Sequence, residues 1–152
     1  MQTEKTDLCE YVTVVICGQR FGIPVLLVQD VIRERPLTHI PLAPSEVAGA
    51  LNLRGRVVTA MDLRNRLGME PREEDVPAMN VVVEQGGELY SLIVDAVGDV
   101  LNLSMDTYEP SPATMDQKWR GVTDGLHRLD GDLMLVLNID DVLGDEMVAE
   151  AA

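Results

Sequence analysis

Residues 52–68 read NLRGRVVTAMDLRNRLG. Arg54, Gly55 and Arg56 interrupt an apolar run that covers Ala50 to Leu53 and resumes through Met61, the pattern of two strand arms reversing at Gly55. Asp62 to Leu67 then reads as a short helix, capped by Asp62 and stopped by Gly68. Part of this stretch recurs: VVTAMDLRNRLG at 57–68 matches LMLVLNIDDVLG at 133–144, an offset of 76. Upstream, Phe21, Val28, Asp30, Val31 and Ile32 match Tyr90, Val97, Asp99, Val100 and Leu101 at a constant offset of 69, and Gly49 matches Gly121 at 72. An offset that grows along the chain is what insertions in the second copy produce. Two copies, at about 20–68 and 89–144, each hold several short strands, and a small barrel buries such strands without leaving edges.

The remaining segments are also strand-like. Tyr11 to Cys17 (YVTVVIC) and Arg20 to Leu27 (RFGIPVLL) suggest a hairpin turning at Gly18-Gln19. Val28 to Arg33 fits strand or helix, because periodicity does not separate the two over so short a run. After prolines 36, 41 and 44, Ser45 with Val47 and Ala48 suggests one helical turn. PREEDVP at 71–77 is polar and reads as a linker or exposed loop. Met79 to Glu84, Leu89 to Val94, Val97 to Leu103, Gly121 to Leu129 and Asp132 to Ile139 complete the strands, with turns at Gly86-Gly87 and Asp130-Gly131 and a proline loop through Pro110 and Pro112. A helix is expected from Asp140.

The chain has 152 residues, 46% of them hydrophobic, enough for a sizeable core. Its formal net charge of −14 repels phosphate backbones and anionic lipid. Tyr11, Phe21, Tyr90, Tyr108 and Trp119 are the only aromatic residues, too few for a base-stacking platform. No apolar window is long enough for a membrane span, and MQTEKTDLCE lacks the basic start and apolar core of a signal peptide, so a cytoplasmic protein is expected.

Catalytic groups are sparse. His39 and His127 lie in different halves without Cys, His or acidic partners at ligand spacing, and both read as surface or turn residues. Cys9 and Cys17 fit neither a zinc nor a redox spacing, and Cys17, at the end of an apolar run, is expected to be a buried thiol. Asp140-Asp141 and the Asp130 to Asp132 turn lack the ligand alternation of a calcium loop. No metal or cofactor is expected. One charge feature stands out: residues 33–72 carry Arg33, Arg35, Arg54, Arg56, Arg64, Arg66 and Arg72 against four acids, which is +3 and leaves −17 for the rest. Arginine suits bidentate pairing and interfaces. It suits equally well internal bridges to the acidic half, and both roles are open at this point.

Taken in order, VQDVI, PLAPSEVAGALNLRG, VVTAMDLRNRLG and IVDAVGDVL resemble the CheW family of bacterial chemotaxis coupling proteins, from roughly residue 11 to 144. The most specific part is the signature of Gly49, Asn52, Leu53, Arg54 and Gly55, followed by Asp62-Leu63-Arg64. The resemblance implies an all-β fold with short helices: two SH3-like five-stranded β-barrel subdomains, related by the internal repeat and packed on a shared core. It implies one domain at 11–144, with 1–10 and 145–152 as flexible termini.

The function it implies is that of an adaptor without catalysis. Such a protein binds the regulatory domain of the histidine kinase CheA and the cytoplasmic tip of methyl-accepting receptors, recruited to arrays at the inner face of the membrane and monomeric when isolated. Carried over by position, Val28, Asp30, Gly49 and Arg54 are implicated in partner contacts, and with Val31, Asn52, Gly55 and Arg56 they make up the expected partner-binding residues, Val28 and Val31 as apolar groove floor or simple core. Asp30 stands where glutamate is usual and shortens that carboxylate's reach. Thr59-Ala60 replaces an Ile-Pro or Val-Pro, a packing change. A paralogue serving an array for pili or gene expression is the alternative within the family, and a small carboxylate-dependent hydrolase is the alternative outside it.

Overall fold

The computed structural model describes residues 8–43, 47–73 and 76–144. Eleven strands form two sheets. In chain order they are β1 (Leu8–Ile16), β2 (Gln19–Pro24), β3 (Val28–Arg33), β4 (Val47–Leu53), β5 (Arg56–Asp62), β6 (Met79–Gln85), β7 (Glu88–Val94), β8 (Ala96–Ser104), β9 (Tyr108–Pro110), β10 (Thr123–Leu129) and β11 (Asp132–Leu137). Short helices are α1 (Leu63–Arg66), α2 (Gln117–Arg120) and α3 (139–144). One sheet runs β8-β1-β2-β11-β10-β9 and the other β3-β6-β7-β5-β4.

Each sheet therefore takes a hairpin from the opposite half. β1–β2 pairs with β8 and β11, and β6–β7 pairs with β3 and β5. The registers follow the offsets read in the sequence. Val12↔Val100 corresponds to Val81↔Val31, each position shifted by 69. Phe21↔Leu135 corresponds to Tyr90↔Thr59, shifted by 69 in one strand and 76 in the other.

The exchange explains why YVTVVI, MNVVVE and LMLVL are apolar with little alternation: both faces of these strands are buried. On β6, Val81 and Val83 join the core between the sheets, whereas Val82 joins the interior of the first barrel with Leu51, Val58 and Leu89. On β11, Leu135 and Leu137 face the shared core, whereas Met134 and Val136 pack with Tyr11 inside the second barrel. Three apolar layers result, and the middle one contains residues from both halves.

Several local expectations change. The β1–β2 loop is Cys17-Gly18, with φ of 50° and 78°, one residue earlier than the sequence suggests. Positive φ at both central positions matches the right-handed strand twist. Cys17 is consequently exposed at a turn rather than buried. The second arm stops at Pro24, and Val25–Leu27 forms a 3-10 turn. Val28–Arg33 is a strand, and Val47 already belongs to β4; residues 44–46, where the helical turn was expected, lie outside the described residues. The proline loop contains the three-residue β9 and α2, so the second sheet has six strands. Arg72, within the polar 71–77 stretch, has a side chain only 10% exposed.

His127 departs furthest from expectation: it is fully buried on β10. Its Nε2 lies 3.2 Å from Tyr11 Oη and its Nδ1 2.9 Å from Thr107 Oγ1, with Tyr11 and Tyr108 packed around the ring. Burial lowers its pKa from the ordinary histidine value. The folded state thus resists a proton that the unfolded chain takes up below about pH 6.5, so stability falls as the pH drops through that region. His39 is exposed, as expected.

A part-buried ionic cluster joins the elements around α1. Asp95, at the bend between β7 and β8, accepts from Arg64 Nε at 2.9 Å and Nη2 at 2.7 Å, from Arg72 Nη2 at 2.8 Å, and from the Cys17 N–H at 2.7 Å. One carboxylate so ties the β1–β2 turn of one sheet to α1 and the following loop of the other. Burial alone would raise the Asp95 pKa, but the hydrogen bonds from Arg64, Cys17 N–H and Arg72 outweigh it and hold it at about 2.

Because the folded pKa of Asp95 lies below the unfolded value of about 3.9, its stabilisation is complete above about pH 5 and is lost as the pH falls through the folded value. Asp95→Asn is expected to cost about 2 kcal/mol at neutral pH and to flatten that acid limb in urea melts; an acid profile identical to wild type would contradict this. Thermal melts of His127→Gln should lose the wild-type decline in stability between about pH 7 and 5; an unchanged slope would assign it to other groups.

Candidate functional site

The β4–β5 hairpin tip lies where the first sheet closes on itself. β3 and β4 are its two edges, yet three contacts bring them together. Arg54 Nη2 meets Asp30 Oδ2 at 2.8 Å, Arg35 Nη1 donates to the Asn52 carbonyl at 3.3 Å, and Thr38 and Ala50 exchange two backbone hydrogen bonds of 2.8 Å. This closure turns a five-stranded sheet into a barrel.

The turn itself is Arg54-Gly55, with φ of 51° and 84°. Asn52 Oδ1 accepts from the Gly55 N–H at 3.0 Å and fixes its start. Arg54 is thereby held in a left-handed conformation that costs a non-glycine residue energy. The arginine side chain remains 77% exposed although it pairs with Asp30. An ion pair so open to solvent contributes about 0–1 kcal/mol to stability, so folding alone gives little reason for an arginine here.

A β-bulge at Gln29 decides where the β3 side chains point. Val28 pairs with Val83, but Asp30 pairs with Val82 and Val31 with Val81. Directly paired residues share a face, so the extra residue puts Val28 and Val31 on the side facing the shared core and Asp30 on the barrel-interior side. Val28 is half-buried against the shared core, whereas Val31 is 37% exposed at the edge. Val100 holds the equivalent place on β8 and is 54% exposed. The repeat offset of 69 signals Val100, although the motif reading passes over it.

The eight expected residues therefore divide. Asp30, Asn52, Arg54 and Gly55 form one connected group, with exposed Arg56 beside them. Val28 and Val31 lie on the other face of β3. Gly49 is buried apart from both, with φ of 151°, and a Cβ there would stand 2.8 Å from the Thr38 carbonyl oxygen. It supports the segment after β3 by close backbone approach.

The arginines of 33–72 divide as well. Arg64 and Arg72 bind Asp95, and Arg66 donates to the Val142 and Asp141 carbonyls, both at 2.8 Å, satisfying the end of α3. These three are internal. Arg33, Arg35, Arg54 and Arg56 are exposed.

Two grooves of about 590 Å³ are mostly apolar, one at Tyr11, Leu26, Met105 and Tyr108, the other at Leu67, Met69, Met115 and Trp119. Asp95 is saturated by two guanidinium groups and an N–H, which suits a fixed anion and not a proton carrier. No cluster of three or more metal-ligating side chains occurs among the described residues. No helix among them is long and apolar enough to cross a membrane.

Comparison with known proteins agrees with this arrangement. The family model of the CheW-like domain matches residues 10–147. The Chemotaxis protein CheW of Rhizobium meliloti (strain 1021) is 30% identical over 128 residues, covering 84% of this chain and 83% of that protein. Protein PilI of Pseudomonas aeruginosa is 33% identical over 91 residues, covering 60% of this chain and 51% of its own length. The crystal structure of the scaffolding protein TtCheW from Thermoanaerobacter tengcongensis superposes with a TM-score of 0.81 at 25% identity, covering 91% of this chain and 94% of that one. The match of the family model across nearly the whole chain, together with the structural likeness, places this protein in the CheW-like family.

Proposed function

We propose that the protein is a non-catalytic adaptor that couples methyl-accepting receptors to the histidine kinase CheA and so helps control kinase activity. The observation that carries this reading is the family match over residues 10–147. The exposed arginine tip and the apolar edge give the reading physical means. A receptor tip is an amphipathic helical hairpin, for which an exposed apolar residue such as Val31 or Val100 is a suitable anchor and exposed charges such as Arg54 and Arg56 are suitable polar contacts. Such a protein works by holding two partners in a fixed relative geometry and needs no reaction of its own. In this reading the domain spans 11–144 and is recruited to receptor arrays at the inner face of the membrane. Gly49 acts indirectly, since a side chain there would displace Thr38 and the segment it belongs to. A second reading, service in a non-flagellar array, is favoured by the similarity to Protein PilI over the shorter span.

Calorimetric titration of the purified chain with CheA regulatory domains should show binding without added cofactor; absence of heat and of co-elution across several candidate kinases would overturn the adaptor reading. Arg54→Ala should change stability by no more than about 1 kcal/mol while weakening coupling to receptor or kinase by about tenfold, or about 1.4 kcal/mol. A variant that unfolds would make Arg54 a structural residue, and one that folds and couples as well as wild type would remove it from the contact surface.

A further inference from the structure

A strap crosses over a glycine in each barrel. In the first, Thr38 bridges Ala50, and a Cβ on Gly49 would stand 2.8 Å from the Thr38 carbonyl oxygen. In the second, β9 lies along β10, and a Cβ on Gly125 would stand 2.5 Å from the Glu109 carbonyl oxygen. The pairs Gly49↔Ala60 and Leu51↔Val58 recur as Gly125↔Val136 and His127↔Met134, every position shifted by 76. Gly125, rather than Gly121, is thus the structural counterpart of Gly49, and His127 that of Leu51. Leu51 and His127 are both buried inside their barrels. A leucine fills this place in the first barrel, so the fold itself does not call for a buried histidine in the second.

The histidine bonds the strap directly. The Thr107 hydroxyl donates its one proton to the Ser104 carbonyl at 3.0 Å, so its oxygen accepts from His127 Nδ1–H at 2.9 Å. Nε2 is then the unprotonated nitrogen and accepts from the Tyr11 hydroxyl at 3.2 Å. The neutral ring is satisfied on both sides. A proton added at Nε2 would turn the tyrosine hydroxyl away and leave an unpaired cation in a fully buried place, at high cost. Around the ring, β1 presents Tyr11 with Cys9 beside it, the strap presents Thr107 and Tyr108, and β11 presents Met134. The acids of these elements are directed elsewhere. Glu10, Asp106 and Asp132 are exposed, Glu109 pairs with exposed Arg128 at 2.7 Å, and Asp124, whose charge reaches Tyr11 and Tyr108, accepts from Asn138 at 2.7 Å.

We propose that His127 is an acid-sensitive latch: on taking up a proton it releases the strap, residues 104–110, from β10 while the rest of the fold stays closed. The strap is lightly anchored, since β9 has three paired positions on a single neighbour at the sheet edge, whereas β10, β11, β2 and β1 are paired on both sides. Met105 and Tyr108 are one wall of the apolar groove at Tyr11 and Leu26, so release opens the mouth of the second barrel. While the strap is closed the ring excludes a proton; once released into water it binds one at the ordinary value of about 6.5. Closure is therefore fully stable above about pH 7.5 and weakens as the pH falls through 6.5, and the open population grows about tenfold between pH 7.5 and 5.5. Neither kinase nor receptor takes part in the latch.

The test is hydrogen exchange of the full chain, read by mass spectrometry at about pH 7.5 and 5.5 and corrected for the intrinsic rates, with and without low concentrations of urea. Amides of residues 104–110 should exchange through an opening more frequent than global unfolding and insensitive to urea, and about tenfold more frequent at the lower pH. Amides of β6 and β7 should exchange through global unfolding, with its full urea dependence. In His127→Gln the tenfold rise in the strap should vanish. A strap that opens only as often as β6 and β7, an opening that does not change with pH, or a rise that survives in His127→Gln would overturn the latch. Should that variant fail to fold by circular dichroism, His127→Leu, which copies Leu51 of the first barrel, takes its place with the same expectation.

Discussion

Neither half of this chain can bury its strands without a hairpin from the other. β1–β2 is covered on one face by the interior of the second barrel and on the other by the shared core, and β6–β7 stands in the same relation to the first. Removing either hairpin would open both a barrel and the layer between barrels. The two halves are thus expected to fold as one cooperative unit. Their relative orientation is fixed by the apolar layer and by Asp95, whose ligands come from both sides of it.

That rigidity gives the hairpin tip its meaning. The core strands and the Asp95 cluster determine where β3 and the β4–β5 turn stand. The surface group of Asp30, Asn52 and Arg54 then has little left to do for stability, because its ion pair is open to water. A charged group held in a left-handed turn at small net gain to folding supports the proposal that this tip is a contact surface. Arg64, Arg66 and Arg72 are the opposite case: their guanidinium groups are used within the molecule, on Asp95 and on the end of α3.

Much of the architecture was legible in the sequence because paired strands repeat their spacing. The offsets of 69 and 76 recur in the strand registers, since insertions between strands lengthen loops without altering which residues face each other. What escaped depended on single residues whose surroundings come from distant parts of the chain. Cys17 looked buried because it ends an apolar run, and a turn one residue earlier puts it in solvent. His127 looked like a surface residue because its partners, Tyr11 and Thr107, are 116 and 20 residues away. Asp95 gave no signal, since its arginines lie 31 and 23 residues upstream. The placement of Val28 and Val31 on one face depends on the bulge at Gln29, which the hydrophobic pattern of VQDVIR does not reveal.

Coupling is more than binding, because an adaptor must hold two partners at once. The most direct measurement is co-sedimentation of CheA with vesicles that display receptor cytoplasmic tips, with and without this protein. The account predicts that CheA pellets with the vesicles to a clearly greater extent when the protein is present, and that the protein pellets with it. Equal sedimentation of CheA in its absence, or competition between CheA and receptor for the protein, would contradict the coupling role.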